Sequence, residues 1–310
     1  MATVTLAESA KLSQNLLVAG IIETIITVNR IFEVMPYDGI DGNALGYNRE
    51  GAIPANYVEA VEVGDTIAAK APAVFSLVST PLTTILGDAE VNGLIQATRS
   101  NINDQTAVQV GGKAKGVARE WQRQFIVGDV GTNPEEFDGV EQLCAAGQTL
   151  TTAGANGDAL AFTAMDALLD LVIDRDGEVD WIMCTARTIR QYKALLRALG
   201  GASINEVIEL PSGKKIPQYS GVGIFTNNWI PEDDVKGAGA DLTAMYAGNF
   251  DDGSRSTGLA GLTAEKAAGI MVENVGVSET KDEVITRVKW YCAMALFSEL
   301  GLAKLPEITS

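Results

Sequence analysis

Histidine is absent from this chain of 310 residues, cysteine occurs three times, and aromatic residues make up only 6%. Without histidine, the chain lacks the commonest general base, the commonest metal ligand and the usual side chain that titrates near neutral pH. Cys144, Cys184 and Cys292 are far apart and have apolar neighbours, which predicts buried free thiols. A scattered, odd number of cysteines argues against a disulfide-bonded secreted fold and favours assembly in a reducing cytoplasm.

Long hydrophobic runs are also missing. The stretch 16–26 is apolar but short, and Glu23 interrupts it, whereas a membrane-spanning helix needs about 20 apolar residues. The sequence has neither the basic start nor the small-residue cleavage site of a signal peptide. We therefore expect a soluble protein that has no targeting segment and no membrane partner.

The residues that are present favour a globular protein with many turns. The chain is 46% hydrophobic, which is enough for one large domain or two smaller ones. Its 32 glycines suit turns and hairpins rather than a helical bundle. The net charge of −17 would repel phosphate backbones, so we expect no sequence-specific DNA binding, although such a protein could still enclose DNA.

No familiar catalytic or cofactor motif is complete. The glycine-rich run 111–116 resembles a phosphate-binding loop, but Val108 stands where the first glycine of that loop would be. Serine nucleophiles have no histidine partner and no GxSxG sequence. Paired carboxylates occur in segments of loop composition, where we expect solvated side chains, at Glu135/Glu136, Asp233/Asp234 and Asp251/Asp252. The sequence therefore predicts no catalytic residue, no cofactor and no metal site.

Residues near the N-terminus have the spacing of an amphipathic helix. Apolar positions recur every three or four residues, at Leu12, Leu16, Ala19, Ile22 and Ile26. A broad apolar face must pack against something, and two partners remain open, namely the chain's own core and a neighbouring subunit.

From Phe32 the pattern changes, because glycine and proline interrupt any helix. We predict short strands at 30–34, 44–49 and 58–63, with turns at the dipeptides Asp38-Gly39 and Asp41-Gly42. The segment has too little apolar mass to build its own core, and a two-stranded hairpin alone is marginally stable in water. We therefore expect this hairpin to lie across a partner.

A long helix is the main predicted element of the first half. Apolar residues step by three and four over 101–127, and Gly128 is a typical helix end. Trp121 and Phe125 lie one turn apart and should face one core. The three internal glycines of this helix predict a bend or a close backbone contact. A shorter helix is predicted before it, over 79–86.

Helix and strand signals alternate in the second half, as in an α/β domain. Glycine and small polar residues dominate 147–157, where we place a domain boundary. Helices are predicted over 162–172 and, with Thr185 as N-cap, up to Leu199. Strands are predicted at 181–184, 207–210, 222–226, 244–248, 269–272 and within 284–300.

The order of these segments resembles that of the Hong Kong 97-type major capsid protein of tailed bacteriophages. The sequence QFIVGD at 124–129, followed by FDGV at 137–140, is similar to the run that closes the spine helix in that family. The resemblance implies an α+β, Hong Kong 97-like capsid fold, with an N-terminal arm (1–34) and an extended hairpin loop (35–74). It also implies a peripheral domain with a long spine helix (75–150 and 272–288) and an axial α/β domain (151–271 and 289–310).

The resemblance implies a structural function. The chain would assemble with itself, as pentamers and hexamers, into an icosahedral shell that encloses a double-stranded DNA phage genome. The further partners implied are a separate scaffolding protein, a portal and decoration proteins, with assembly in the host cytoplasm and a final location in the virion. No acidic or coiled-coil segment precedes the arm, so we expect a fused scaffolding region to be absent or already removed.

The extended loop and the spine helix supply the predicted subunit interface. Arg49 and Glu50 form a mixed-charge tip that would set the register against a neighbour. The full predicted set is Tyr37, Tyr47, Asn48, Arg49, Glu50, Arg119, Trp121 and Arg123.

Two alternatives remain open from the sequence. An encapsulin-type nanocompartment shell would share the fold but enclose an enzyme cargo, so particle size and contents distinguish it. A soluble α/β enzyme or binding protein with an unrecognised site would instead be a monomer with a well-formed pocket.

Overall fold

The fold is described from a computed structural model of the chain. The structure describes residues 30–50, 57–63, 70–72, 74–99, 104–174, 177–198, 207–210, 213 and 215–309. The predicted amphipathic arm before residue 30 lies outside these described residues.

The described residues form an α+β fold. The helices are α1 (Gly93–Arg99), α2 (Gln105–Val127), α3 (Val140–Leu143), α4 (Phe162–Ile173) and α5 (Ala186–Ala198). The strands are β1 (Tyr37–Ile40), β2 (Ala44–Glu50), β3 (Phe75–Pro81), β4 (Thr83–Asn92), β5 (Trp181–Cys184), β6 (Val207–Glu209), β7 (Lys215–Tyr219), β8 (Val222–Thr226), β9 (Asp234–Lys236), β10 (Gly239–Gly248), β11 (Leu259–Ala264), β12 (Met271–Val277), β13 (Glu283–Leu296) and β14 (Leu302–Ile308). They form a five-stranded sheet, a seven-stranded sheet and a separate two-stranded hairpin.

The long strand β13 organises the five-stranded sheet. It is antiparallel to β4, β12 and β11, and β1 pairs with β11 in parallel. Helix α2 packs across β4 and β13. The central contact is between two aromatic rings, because Trp121 of α2 stacks on Trp290 of β13 with centroids 5.3 Å apart. The predicted spine helix is thus one layer of the subunit core.

The seven-stranded sheet has both faces buried. Its order is β14-β10-β5-β8-β7-β6, with β9 paired to β10. In β5, Trp181 and Met183 face one hydrophobic core, whereas Ile182 and Cys184 face a second core that α4 and α5 cover. This burial explains why β5 reads as a continuous apolar run rather than an alternating one. The predicted strand at 181–184 is confirmed.

Two glycines close the C-terminal end of α2. Gly128 donates its amide to the carbonyl of Gln124 at 2.9 Å, and its own carbonyl accepts the amide of Gly139 at 2.8 Å. A β-carbon on Gly128 would lie 2.2 Å from the carbonyl oxygen of Phe137, and one on Gly139 would lie 2.5 Å from that of Ile126. The backbones therefore approach more closely than any larger residue would permit, which explains the two glycine-containing phrases in the sequence.

Three predictions for the first part of the described chain are wrong. Residues Arg30–Glu33 form a short 3-10 helix rather than a strand, because the adjacent Ile31 and Phe32 both pack into the core. The dipeptide Asp38-Gly39 lies inside β1 and makes no turn. No strand forms over 58–63, all of which the structure describes.

One further prediction about a helix is wrong, and a second is contradicted in one of its two alternatives. The segment 79–86 belongs to β3 and β4 rather than to a helix. Helix α2 runs unbroken through Gly111, Gly112 and Gly116, and a β-carbon at any of these positions would meet no atom within 4 Å. A close backbone contact is therefore absent at these three glycines, and the alternative, a bend in the helix, stays a prediction.

The division into peripheral and axial domains stays a prediction. Residues 259–264 and the whole of β13 belong to the five-stranded sheet, although 259–264 and 289–296 were assigned to the axial domain. One hydrophobic core joins this sheet to one face of the seven-stranded sheet. Strand β3, which completes the hairpin, begins one residue beyond the predicted end of the extended loop.

Candidate assembly surface

The hairpin of β2 and β3 has two faces of different chemistry. Its antiparallel register pairs residues 44–50 with 75–81. Side chains alternate across a strand, so neighbouring residues point to opposite faces. The inward face consists of Leu45, Tyr47, Arg49, Val78 and Thr80, and the outward face of Asn48, Glu50, Phe75, Leu77 and Ser79.

The inward face rests on residues 296–299 of its own subunit. Tyr47 donates its hydroxyl to the carbonyl of Leu296 at 2.9 Å, and its ring meets that of Phe297 with centroids 5.1 Å apart. Arg49 donates to the carbonyls of Leu296 at 2.5 Å and Phe297 at 3.3 Å, and pairs with Glu299 at 2.7 Å. The donors of Arg49 are therefore used within the subunit, which differs from the expected contact with a neighbour.

The outward face is uncovered. Leu77 is 77% exposed and Phe75 is 64% exposed, and Asn48 and Glu50 lie exposed beside them. Phe75 and Leu77 stand two residues apart on one face, and adjacent exposed apolar side chains of this size favour an interaction surface. Asn48 and Glu50 belong to the predicted interface set, whereas Phe75 and Leu77 do not, although the period-two spacing of these two apolar residues is a signal that could have identified them.

The described part of the segment between these strands is also apolar and exposed. Val58 is 75% exposed, Val61 is 49% exposed and Val63 is fully exposed. Nearby, Lys70 pairs with Glu59 at 2.6 Å, but an ion pair this exposed adds little stability. The three valines are thus further apolar side chains that the described residues leave exposed.

Trp121 lies in the subunit core, so its assignment to an interface is corrected. Its side chain is 2% exposed. Besides Trp290, its ring meets those of Phe32 at 4.5 Å and Phe125 at 5.5 Å between centroids. The predicted common core of Trp121 and Phe125 is confirmed, and that burial leaves Trp121 no surface to offer a neighbour.

Tyr37 lies at the rim of this aromatic cluster. Its ring centroid is 5.8 Å from that of Trp121 and 6.2 Å from that of Trp290, while 41% of the residue is exposed. Desolvation, with a smaller effect of Cys292, raises the pKa of its phenol well above the usual 10.0. A β-carbon on Gly261 would lie 2.6 Å from the ring, so that glycine makes room for it. A contact between Tyr37 and a neighbour stays a prediction.

The two arginines predicted on the spine helix differ. Arg119 is exposed. Arg123 pairs with Glu120 at 2.6 Å and with Glu136 at 2.5 Å, so it joins the end of α2 to the loop that follows. Its hydrogen bond lowers the pKa of Glu120 below the usual 4.5. Arg123 thus stabilises its own subunit, and Arg119 is the more accessible of the two.

Two of the carboxylate pairs are less solvated than expected. Asp251 is 7% exposed and accepts the amides of Gly253 at 3.0 Å and Arg255 at 3.2 Å, so it shapes its loop. Partial burial, reinforced by Glu141, raises the pKa of Asp234 above the usual 3.8. The expectation of solvated side chains is therefore wrong for Asp251, whereas Asp234 is partly exposed.

The cysteines are protonated rather than reactive. All three are free, and Cys184 and Cys292 are buried as predicted, whereas Cys144 is partly buried. Burial raises the pKa of Cys292 to about 12 and that of Cys184 well above the usual 9.0. Because the thiolate is the nucleophile, thiols with such pKa values are poor catalysts.

Two observations on the described residues concern small ligands. Among them, no group of three or more cysteines, aspartates or glutamates is arranged to hold a metal ion. A cavity of about 150 Å³ beside β14 is lined by Leu150, Thr152, Asp158, Leu305 and Ile308, among others. Typical ligand pockets measure about 300–1,000 Å³. None of the described helices combines the length and the apolar composition needed to cross a membrane.

A family model matches more than half of the chain. Residues 58–235 match the model described as SU10 major capsid protein. This span includes β3, the spine helix and four strands of the seven-stranded sheet, β5 to β8. Among curated proteins, none matches the chain in sequence.

Solved structures share the fold over nearly the whole chain at low sequence identity. The SrpI encapsulin of Synechococcus elongatus PCC 7942 superimposes with a TM-score of 0.71 at 15% identity, covering 100% of this chain and 97% of the encapsulin chain. The capsid of cyanophage A-1(L) gives 0.67 at 11% identity, covering 97% and 98%. The gp27 major capsid proteins of phage G, solved with gp26 decoration proteins, give 0.64 at 13% identity, covering 100% of both chains. At these identities the likeness shows the fold alone, and it confirms the predicted α+β, Hong Kong 97-like capsid fold.

Proposed function

The chain belongs to the family of SU10 major capsid proteins, and from this premise we propose how it builds a shell. It is a structural subunit of a capsid, located in the virion, and it assembles with copies of itself. We propose that its pentamers and hexamers close into an icosahedral shell around a double-stranded DNA phage genome. The order of its segments supports this proposal, since it resembles that of the tailed-phage subunit.

The uncovered outward face of the hairpin carries the proposal. Phe75 and Leu77 are large apolar side chains that the subunit leaves in water. Burying each one would contribute about 1.5–3 kcal/mol. Asn48 and Glu50 would supply the polar rim that usually surrounds the apolar centre of an interface. We propose that this face lies on a neighbouring copy of the chain.

The acidic composition supports a container rather than a DNA-binding protein. A net charge of −17 disfavours contacts with phosphate, so the shell would enclose the genome without reading its sequence. A separate scaffolding protein, a portal and decoration proteins complete the proposed set of partners. The structure of phage G contains decoration proteins together with its major capsid proteins. We propose no enzymatic activity, in keeping with the protonated thiols.

A nanocompartment shell is the second candidate. The TM-score of 0.71 to the SrpI encapsulin exceeds those of the two phage capsids described above. The contents of purified particles distinguish the two functions. DNA protected from nuclease indicates a viral capsid, whereas a protein cargo without DNA indicates a nanocompartment.

The double variant Phe75→Ser/Leu77→Ser tests the role of the outward face. Both residues are exposed, so the variant subunit should fold with the circular dichroism of the wild type. Electron microscopy should then show capsomers or free subunits instead of closed shells, because the apolar contact between copies is lost.

A matched control separates this effect from a general loss of exposed apolar residues. Ile173 is 48% exposed and Val207 is 45% exposed, and both lie away from the hairpin in the second half of the chain. The control Ile173→Ser/Val207→Ser should form shells as the wild type does. Normal shells from the hairpin variant would contradict the proposed role of the outward face.

A further inference from the structure

We propose that Arg49 is a positioning residue that fixes the direction of the hairpin and, through it, the angle at which neighbouring subunits join. This inference rests on the proposed shell function and deepens it by naming the contact that orients the assembly surface. The contact lies within one subunit, between strands that are far apart in the sequence.

The acceptors of Arg49 are backbone carbonyls at the end of β13. Leu296 is fully buried and Phe297 is 4% exposed, so their carbonyls need donors from within the protein. Arg49 donates to both, and Tyr47 donates a second hydrogen bond to Leu296. Removing the guanidinium would leave the Phe297 carbonyl without this donor and Leu296 with one donor fewer.

The carbonyl contacts, rather than the ion pair, account for most of the expected effect. The carboxylate side chain of Glu299 is 54% exposed, and such pairs contribute little in water. The side chain of Arg49 is only 15% exposed, and its planar guanidinium presents several donors in a fixed geometry. A single ammonium group cannot reproduce that arrangement, so Lys is an informative replacement for Arg49.

The position of Arg49 along the hairpin explains why it controls direction. At its base, β3 continues into β4, where Thr83 donates its hydroxyl to the carbonyl of Cys292 in β13 at 2.9 Å. Arg49 lies near the far end of the paired strands, so the hairpin is held at both ends. A two-stranded ribbon held only at its base could pivot, because it has no core of its own. With both ends held, the outward face points in one direction.

The variant Arg49→Ala tests the inference in the full-length chain. Hydrogen exchange of the amides in β2 and β3 should become about tenfold faster, since charged hydrogen bonds that oppose local opening are lost. Shells should be absent or should vary in diameter far more than those of the wild type. Arg49→Lys should restore part of the exchange protection and narrow the distribution of diameters.

The control Arg190→Ala removes an exposed arginine from α5, far from the hairpin in the sequence. It should change neither hairpin exchange nor shell diameter. If Arg49 stabilised the fold in general, its loss would lower the melting temperature while hairpin exchange and shell diameter stayed as in the wild type, and that result would overturn the inference.

A second variant keeps the test decisive if Arg49→Ala does not fold. Tyr47→Phe removes one hydrogen bond to Leu296 but keeps the ring against Phe297, so a smaller increase in hairpin exchange is expected. Unchanged exchange in this variant would overturn the inference. If the wild type forms no shells, the proposed function fails, whereas the exchange measurement still tests whether Arg49 orients the hairpin.

Discussion

At the scale of single residues, Trp121 has the largest expected effect on stability. It is 2% exposed and touches Phe32, Phe125 and Trp290. Trp121→Ala should lower the free energy of unfolding of the unassembled subunit by about 3–5 kcal/mol, because a buried indole leaves a large cavity. Urea denaturation measures this loss.

The exposed Arg119 on the same helix provides the control. Arg119→Ala should change the free energy of unfolding by about 0.5 kcal/mol or less, as is usual for surface substitutions. Equal urea midpoints for Trp121→Ala and the wild type would contradict the placement of Trp121 in the core.

Asp88 should make stability depend on pH in the acid range. Its carboxylate accepts two hydrogen bonds from Arg287, at 2.7 and 2.8 Å, and these lower its pKa below the usual 3.8. The unfolded chain therefore binds a proton more readily than the folded one, so this stabilisation is present above 3.8 and is lost as the pH falls through the folded pKa.

The variant Asp88→Asn should consequently be less stable than the wild type at pH 7, with a smaller difference near pH 3. Denaturant unfolding at the two pH values measures both differences. A constant difference between the variant and the wild type across this range would show that Asp88 does not contribute to the acid sensitivity.

At the scale of elements, the glycines of the spine helix fall into two classes with opposite expected effects. A β-carbon on Gly128 would lie 2.2 Å from a backbone oxygen, so Gly128→Ala should destabilise the subunit by about 1–3 kcal/mol. Gly112 has open space beside it within the helix, so Gly112→Ala should stabilise the subunit by about 0.5–1 kcal/mol. Thermal unfolding shows whether each variant has a higher or a lower melting temperature than the wild type. If both melting temperatures shifted in the same direction, this assignment would be refuted.

The elements that could be predicted are those defined by local periodicity. The spine helix and α4 each have apolar residues at a spacing that identifies the helix and its buried face, and β5 is a continuous apolar run that is buried on both faces. The helix predicted over 79–86 covers the end of β3 and the start of β4, and this prediction is wrong because the identity of β4 depends on pairing with β13, whose residues lie about 200 positions away along the chain. The contacts of Arg49 were missed for the same reason, since its carbonyl partner Leu296 is 247 residues distant.

At the scale of the whole molecule, most large apolar side chains are buried inside the subunit, and a smaller set is left exposed for contacts between subunits. Two hydrophobic cores lie inside the subunit, against the two faces of the seven-stranded sheet. The inward face of the hairpin contacts its own subunit through Arg49 and Leu296, whereas Phe75 and Leu77 on the outward face stay exposed. Such a surface suits an interface formed only on assembly, as in obligate oligomers.

Cryo-electron microscopy of the expressed full-length chain tests this account most directly. It should show closed shells with fivefold vertices, in which a neighbouring subunit covers Phe75 and Leu77 and the contact between Arg49 and residues 296–297 is retained. A compact monomer that never assembles, even with a phage scaffolding protein supplied, and whose outward face stays in solvent, would contradict it.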